Sequence, residues 1–148
     1  MAAKSRQHLD TAELATVMGQ FTRGSIRLPT TEKHSFTTLS VLHTLTHQGP
    51  MRLTALTANE QITQPAVTQL VTRLERDGLV ERRPDPEDGR AVLVGVTPAG
   101  ARVIENRQQD RVRQFTELAQ ALTADERLAI AAALPALARM AALMAEDG

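Results

Sequence analysis

The chain has 148 residues, with 17 basic and 17 acidic side chains, a formal charge of zero and no cysteine. That length predicts one domain with a real core, and the missing cysteines exclude disulfide scaffolds, thiol switches and cysteine metal sites. The opening MAAKSRQHLD does not read as a signal peptide. No segment reads as approaching the roughly 18 apolar residues of a membrane span, so the expectation is a soluble, cytoplasmic protein without a membrane partner. The zero charge is unevenly spread. Residues 1–51 hold five basic and three acidic groups, residues 52–122 ten of each, and residues 123–148 two and four. A nucleic-acid binder usually carries a basic footprint, so any such affinity here has to come from a few placed arginines, doubled by dimerisation.

A first helix is predicted from about Thr11 to Ile26, with Leu14, Val17, Met18 and Phe21 on one face and frayed turns before it. Pro29 stops it, and Pro29–Lys33 reads as a connector. A second helix runs from about Ser35 to His47, with Phe36, Leu39, Leu42 and Leu45 apolar, and Gly49-Pro50 ends it. Met51–Leu53 reads as a short strand, and Thr54 as the cap of a short helix through Asn59, with Leu53 and Leu56 inward.

Residues 62–96 carry the densest signal. Val67, Leu70, Val71 and Leu74 recur at i, i+3, i+4 and i+7, the stripe of a helix with one buried face. Thr63 stands at the N-cap position, Pro65 in the first turn and Gly78 at the C-terminus. The opposite side carries Pro65, Thr68, Gln69, Thr72, Arg73 and Arg76, with almost no acidic charge. Glutamine can pair bidentately with adenine, arginine with guanine, and threonine can touch a thymine methyl. An ordinary solvated helix face is the competing reading, and the hairpin that follows weighs against it. Leu79–Arg83 and Ala91–Val96 read as two strands around Pro84–Arg90, whose two prolines and glycine forbid helix or strand. A helix with a polar outer face followed by a basic-tipped hairpin is the layout of a winged helix-turn-helix.

Thr97-Pro98 opens a long helix to about Leu122, roughly 37 Å, with Val103, Ile104, Val112, Phe115, Leu118 and Leu122 apolar around a polar run from Asn106 to Arg111. Thr123 to Glu126 is a capping box for a last, alanine-rich helix. Pro135 inside that helix is expected to kink it. Apolar terminal helices that flank a small central module predict an interface between two copies, against the alternative of a monomer folding them onto itself.

Other chemistry is thin. His43 and His47 have an i, i+4 spacing that can hold zinc, but no Asp or Glu lies between Phe36 and Asn59, so no metal or other cofactor is predicted. Neither a nucleophile motif nor a glycine-rich phosphate loop is present, and the chain does not read as an enzyme.

Residues 53–100, LTALTANEQITQPAVTQLVTRLERDGLVERRPDPEDGRAVLVGVTPAG, resemble the MarR (multiple antibiotic resistance regulator) family of bacterial transcription factors. The most specific part is Gly78-Leu79-Val80, then Arg82-Arg83, Asp85-Pro86, Asp88-Gly89-Arg90 and Val96-Thr97-Pro98-Ala99-Gly100. The resemblance implies a mainly α fold with a small β-hairpin wing, one domain over 1–148. Its winged helix-turn-helix lobe would span about 36–97, with dimerisation helices at about 8–28 and 98–146. It implies a homodimeric regulator, a repressor relieved by a small-molecule ligand, on a palindromic double-stranded DNA operator. The recognition helix, Gln64 to Asp77, would enter the major groove. The DNA-binding residues implied are Thr63, Gln64, Pro65, Ala66, Thr68, Gln69, Thr72, Arg73, Arg82, Arg83, Asp88 and Arg90. The wing arginine would be Arg90, held by Asp88 and drawn into the minor groove, whose narrowness concentrates negative potential. Arg23, Phe36, Leu39 and His43 come from elements that would line an effector cleft. Three features depart from the family pattern: Gln61 stands at a turn position where glycine is common, Pro135 lies in the last helix, and the net charge is zero. The alternative function is a winged-helix module that mediates protein assembly without reading DNA.

Overall fold

The computed structural model describes residues 9–26 and 34–146, and the chain divides into two compact units between Thr30 and Thr31. The N-terminal unit contains α1, Thr11–Ile26. Its cap is Asp10, one residue before the predicted start, whose Oδ1 accepts the Ala12 and Glu13 N–H groups at 2.9 and 3.0 Å. None of its side chains is buried, and Val17, Met18 and Phe21 of its apolar face stand exposed. The predicted connector Pro29–Lys33 and the first turns lie outside the described residues.

The second unit runs α2 (Phe36–Gln48), β1 (Met51–Arg52), α3 (Leu53–Glu60), α4 (Gln64–Arg76), β2 (Val80–Pro84), β3 (Val92–Val96), α5 (Pro98–Gln120) and α6 (Ala124–Glu146). The strands form one antiparallel sheet in the order β1-β3-β2. The predicted fold class, mainly helical with a small hairpin wing, is the one observed. Two local readings are corrected. The strand of α3's approach stops at Arg52, and Arg52 rather than Thr54 occupies the N-cap, without a side-chain cap bond. Pro84, read as loop, closes β2 opposite Val92. A proline is tolerated there because β2 is an edge strand, where the missing N–H faces outward.

The core follows the predicted periodicity. Leu39, Val41, Leu42 and Leu45 of α2, Leu56 of α3, and Val67, Leu70, Val71 and Leu74 of α4 close over Val80, Val94 and Val103. Each such side chain contributes about 1.5–3 kcal/mol when fully removed from water. Phe36, expected on the same apolar stripe, is instead 78% exposed. It lies in the first turn of α2, immediately after the N-cap Ser35.

Two junctions fix α4 and the hairpin on this core. Gly78 takes the left-handed conformation at φ 73°. The Gly78 N–H donates to the Glu75 carbonyl and the Leu79 N–H to the Leu74 carbonyl, a Schellman ending that turns the chain into β2. Thr97 then caps α5 by accepting the Gly100 N–H at 3.1 Å, and its hydroxyl donates to the Gly78 carbonyl at 2.6 Å. The Thr97 N–H donates to the Leu79 carbonyl at 3.0 Å. This clasp brings the α5 backbone so close that a Cβ on Gly100 would overlap the Leu79 carbonyl oxygen. The Thr-x-x-Gly run is therefore a packing requirement.

The predicted capping box also forms. The Thr123 N–H donates to Glu126 Oε2 and the Glu126 N–H to Thr123 Oγ1, at 2.8 and 3.2 Å. The Thr123 backbone N–H first, and the Thr123 hydroxyl second, hold the Glu126 carboxyl below its ordinary pKa. The helix continues unbroken through Pro135. Leu128, Ile130, Leu134, Met140, Leu143 and Met144 on it are all exposed. One sequence reading is corrected here: Ala124–Ala145 is long and apolar enough to cross a membrane by length and composition. Alanine, spread round the whole helix, supplies much of that hydropathy and disguised it as an ordinary amphipathic segment.

Candidate nucleic-acid interface

Helix α4 stands on its buried stripe, and its other side faces solvent: Gln64, Pro65, Ala66, Thr68, Gln69, Thr72 and Arg73 are all exposed. Thr63 takes the N-cap backbone conformation, but its hydroxyl makes no cap bond, contrary to its sequence reading. The Thr68 hydroxyl donates to the Gln64 carbonyl and the Thr72 hydroxyl to the Thr68 carbonyl, both at 2.8 Å. Both hydroxyl protons are thus spent on the helix, leaving Thr68 a methyl group and acceptor lone pairs to offer. Gln69 keeps both functions of its amide for a partner.

Arg82 differs from its expected role. Its Nη1 is ion-paired with Glu75 and its Nη2 donates to Thr72 Oγ1 at 3.0 Å, so it is half-buried between α4 and β2. It braces the helix against the hairpin and neutralises the one carboxylate within the helix body. Arg73, Arg83 and Arg90 make no ion pair among the described residues, and all three are exposed.

At the wing, Asp88 does not clasp the Arg90 guanidinium. Its Oδ1 accepts the Arg90 backbone N–H at 3.2 Å. It holds the turn, and the arginine side chain projects from that turn. Beneath it lies a contact that the sequence did not reveal. Asp85 is buried, its Oδ2 2.8 Å from Arg52 Nε and 2.6 Å from Nη2, and its Oδ1 accepts the Glu87 N–H at 2.9 Å. The Glu87 N–H first and Arg52 second hold the Asp85 carboxyl below its ordinary pKa, and the Asp85 carboxylate raises that of Arg52. Asp85 was legible as the Asp-Pro step of the wing run but without a partner, and Arg52 only as a strand residue 33 positions away.

A cavity of about 800 Å³ opens between α2 and α5. Phe36, Leu39 and His43, three of the four residues expected to line an effector cleft, border it. Arg23 stands on α1 in the N-terminal unit and is described there by itself. Unforeseen in the wall are Arg107, Gln108 and Arg111 of α5, which lie inside the run read as polar and follow Ile104 at i+3, i+4 and i+7. The His43 and His47 rings stack with centroids 4.0 Å apart. His47 Nδ1 lies 2.9 Å from the His43 carbonyl oxygen and must carry the proton there, since a carbonyl only accepts. Burial, then His47 and Arg111, lower the His43 pKa and so favour the neutral ring, against the opposing pull of Glu60. No cluster of three or more metal-ligating side chains occurs among the described residues.

Comparison with known proteins places this architecture. The model of the MarR family matches residues 35–92, which span α2 to the start of β3. An uncharacterised HTH-type transcriptional regulator of Mycobacterium leprae is 36% identical over 93 residues, 63% of this chain and 65% of that protein. The HTH-type transcriptional repressor IacR of Pseudomonas putida is 30% identical over 110 residues, 74% of this chain and 66% of its own length. The matched region thus spans just under two thirds of either relative. Among solved structures, a mutant MarR from E. coli superposes with a TM-score of 0.67 at 25% identity, covering 89% of this chain and 98% of the other.

Proposed function

This chain belongs to the MarR family, and on that premise we propose that it is a cytoplasmic, homodimeric transcription regulator that reads a palindromic DNA operator. The observation that carries the reading is the outer face of α4. It is polar and exposed, its body free of unpaired carboxylates, and it is braced by Arg82 beside a wing that ends in an arginine without an ion pair among the described residues. Gln69 and Thr68 would meet base edges in the major groove, and Arg73 a base or a phosphate. Arg83 would meet a phosphate and Arg90 the minor groove. The spent hydroxyl proton of Thr68 fits it to a thymine methyl or to an amino group on a base. A second copy would repeat these contacts roughly 34 Å away, one turn of DNA. The name of IacR, a repressor, supports repression as the output. The cavity of Phe36, Leu39 and His43 would take the small molecule that relieves it.

The test is a pair of titrations for each variant, on an operator footprinted in the DNA flanking its own gene and on a scrambled duplex, at one fixed salt. Gln69→Ala is expected to lose about 1–3 kcal/mol on the operator and almost nothing on the scrambled duplex, where phosphates supply the affinity. Arg90→Ala is expected to weaken both and to flatten the salt dependence, since one cationic contact per subunit disappears. Equal losses on both duplexes for Gln69→Ala would show that α4 is not the reading surface. No binding to any duplex at low salt would favour the protein-assembly module instead.

A further inference from the structure

Of residues 84–91, which form the end of β2 and the wing loop, only Asp85 is buried. Sequestering a carboxylate in a hairpin loop is costly unless its oxygens are satisfied, and here both are. Oδ1 takes the Glu87 N–H, and Oδ2 takes the fork of Arg52 through Nε and Nη2. The same residue closes the loop on itself. The Asp85 N–H donates to the Ala91 carbonyl at 3.0 Å, and the Ala91 N–H to the Asp88 carbonyl at 2.8 Å. Asp88 then holds the Arg90 N–H, and its Oδ2 lies 3.9 Å from Arg52 Nη2. Arg52 is not part of the wing. It lies in β1, where its backbone pairs with Leu93 of β3, and it stands at the N-cap of α3, the first helix of the helix-turn-helix.

We infer that Arg52 and Asp85 are positioning residues for the wing: the pairing of the buried Asp85 carboxylate with the exposed Arg52 guanidinium locks the loop to the α3 base and fixes the direction in which Arg90 is presented. The inference rests on the DNA-binding reading above. An arginine that is inserted in a groove by a free loop would lose conformational entropy on binding. One held in advance loses less, and the difference appears as affinity. The contact through two nitrogens of one planar guanidinium matters because it fixes orientation as well as distance. Arg52 and Asp85 therefore act through Arg90 and need not touch DNA.

The informative variant is Asp85→Asn. Removing a carboxylate close to a polyanion strengthens binding by simple electrostatics. A lost lock weakens it, so the two effects have opposite signs. The experiment titrates a roughly 30-base-pair random duplex at low salt with the full chain, with Asp85→Asn, with Arg90→Ala and with the double variant. Amide hydrogen exchange of residues 85–91 is followed on the DNA-free proteins. Asp85→Asn is expected to bind about tenfold more weakly, with a salt slope approaching that of Arg90→Ala, and to exchange faster across the loop. In the Arg90→Ala background the same change is expected to cost no further affinity, because contacts that act through one another are not additive. Arg52→Lys, which keeps the charge and loses the fork, should recover part of what Arg52→Gln loses. Unchanged or tighter binding by Asp85→Asn, or equal losses in both backgrounds, would overturn the inference while leaving DNA binding intact. Failure of the wild-type chain to bind the duplex would instead bring down the DNA-binding reading, and this inference with it.

Discussion

The lobe from α2 to β3 and the helix α6 use the same apolar residue types and end in opposite states. Leu42 and Leu56 in the lobe are fully buried, whereas Leu134 and Leu143 in α6 are 56% and 50% exposed. The difference lies in patterning. Helix α4 segregates its leucines and valines on one stripe and can finish its own packing against α2, α3 and the sheet. Helix α6 runs Leu-Ala-Ile-Ala-Ala-Ala-Leu-Pro-Ala-Leu-Ala from Leu128 and is apolar on every side, a pattern that belongs to a fully surrounded helix. Small side chains such as Ala131, Ala132, Ala138 and Ala141 let another helix approach closely. On the function proposed above, the surrounding element would be a second copy, since an exposed face of this kind beside a lobe proposed to read DNA would complete a two-fold reader.

The largest expected effect tests that contrast at its weaker side. Deleting residues 124–148 should leave a chain that is insoluble or fails to fold, as the exposed Val112 and Leu118 of α5 then lose the partner surface that a second copy would bring. Sedimentation of the full chain should give a dimer. A truncated chain that stays folded, soluble and monomeric would show that α6 is dispensable and that the interface lies elsewhere.

The next effect attacks the closed side. Gly100→Ala forces a methyl group into the Leu79 carbonyl oxygen, a backbone atom held in place by the Thr97 N–H. Backbone cannot swing away as a flexible side chain would, so the cost should reach about 3 kcal/mol. Thermal unfolding measures it. A melting temperature equal to that of the wild type would mean that the α5 junction is loose, and that the lobe is less finished than its buried core implies.

How much of this was legible follows the same divide. The buried stripe of α4, Gly78, the Thr97 cap and the Thr123–Glu126 box are local patterns, each decided within about eight residues of sequence, and each appears in the structure. What escaped notice depends on contacts between distant segments. The Arg52–Asp85 pair joins residues 33 apart, and Arg82 is turned from a surface cation into a brace by Glu75, one helix end away. The cavity wall on α5 was hidden because Arg107, Gln108 and Arg111 are polar, and polarity alone cannot distinguish a lined cavity from open solvent. The apolar length of α6 was masked by alanine, which looks neutral in a periodicity count and adds up over a whole helix.

The smallest effect concerns the single flaw in the closed lobe. Gln61 ends α3 at φ 52°, ψ 34°, and among the described residues it is the only non-glycine with positive φ. A side chain in this region crowds the following carbonyl and costs about 1–2 kcal/mol. Glycine at the same position removes that strain. It also loosens the unfolded chain, which takes back about 0.4–1 kcal/mol. The strain term is the larger, so Gln61→Gly should stabilise the protein by about 0.5–1 kcal/mol. Chemical denaturation with an unchanged slope would register it as a shift in midpoint alone. The turn leads directly into α4, so DNA affinity should be kept if Gln61 is merely tolerated. A stabilised variant with weakened operator binding would show that the strained turn sets the angle at which α4 is presented. A destabilised one would show that the Gln61 side chain makes a contact worth more than its strain.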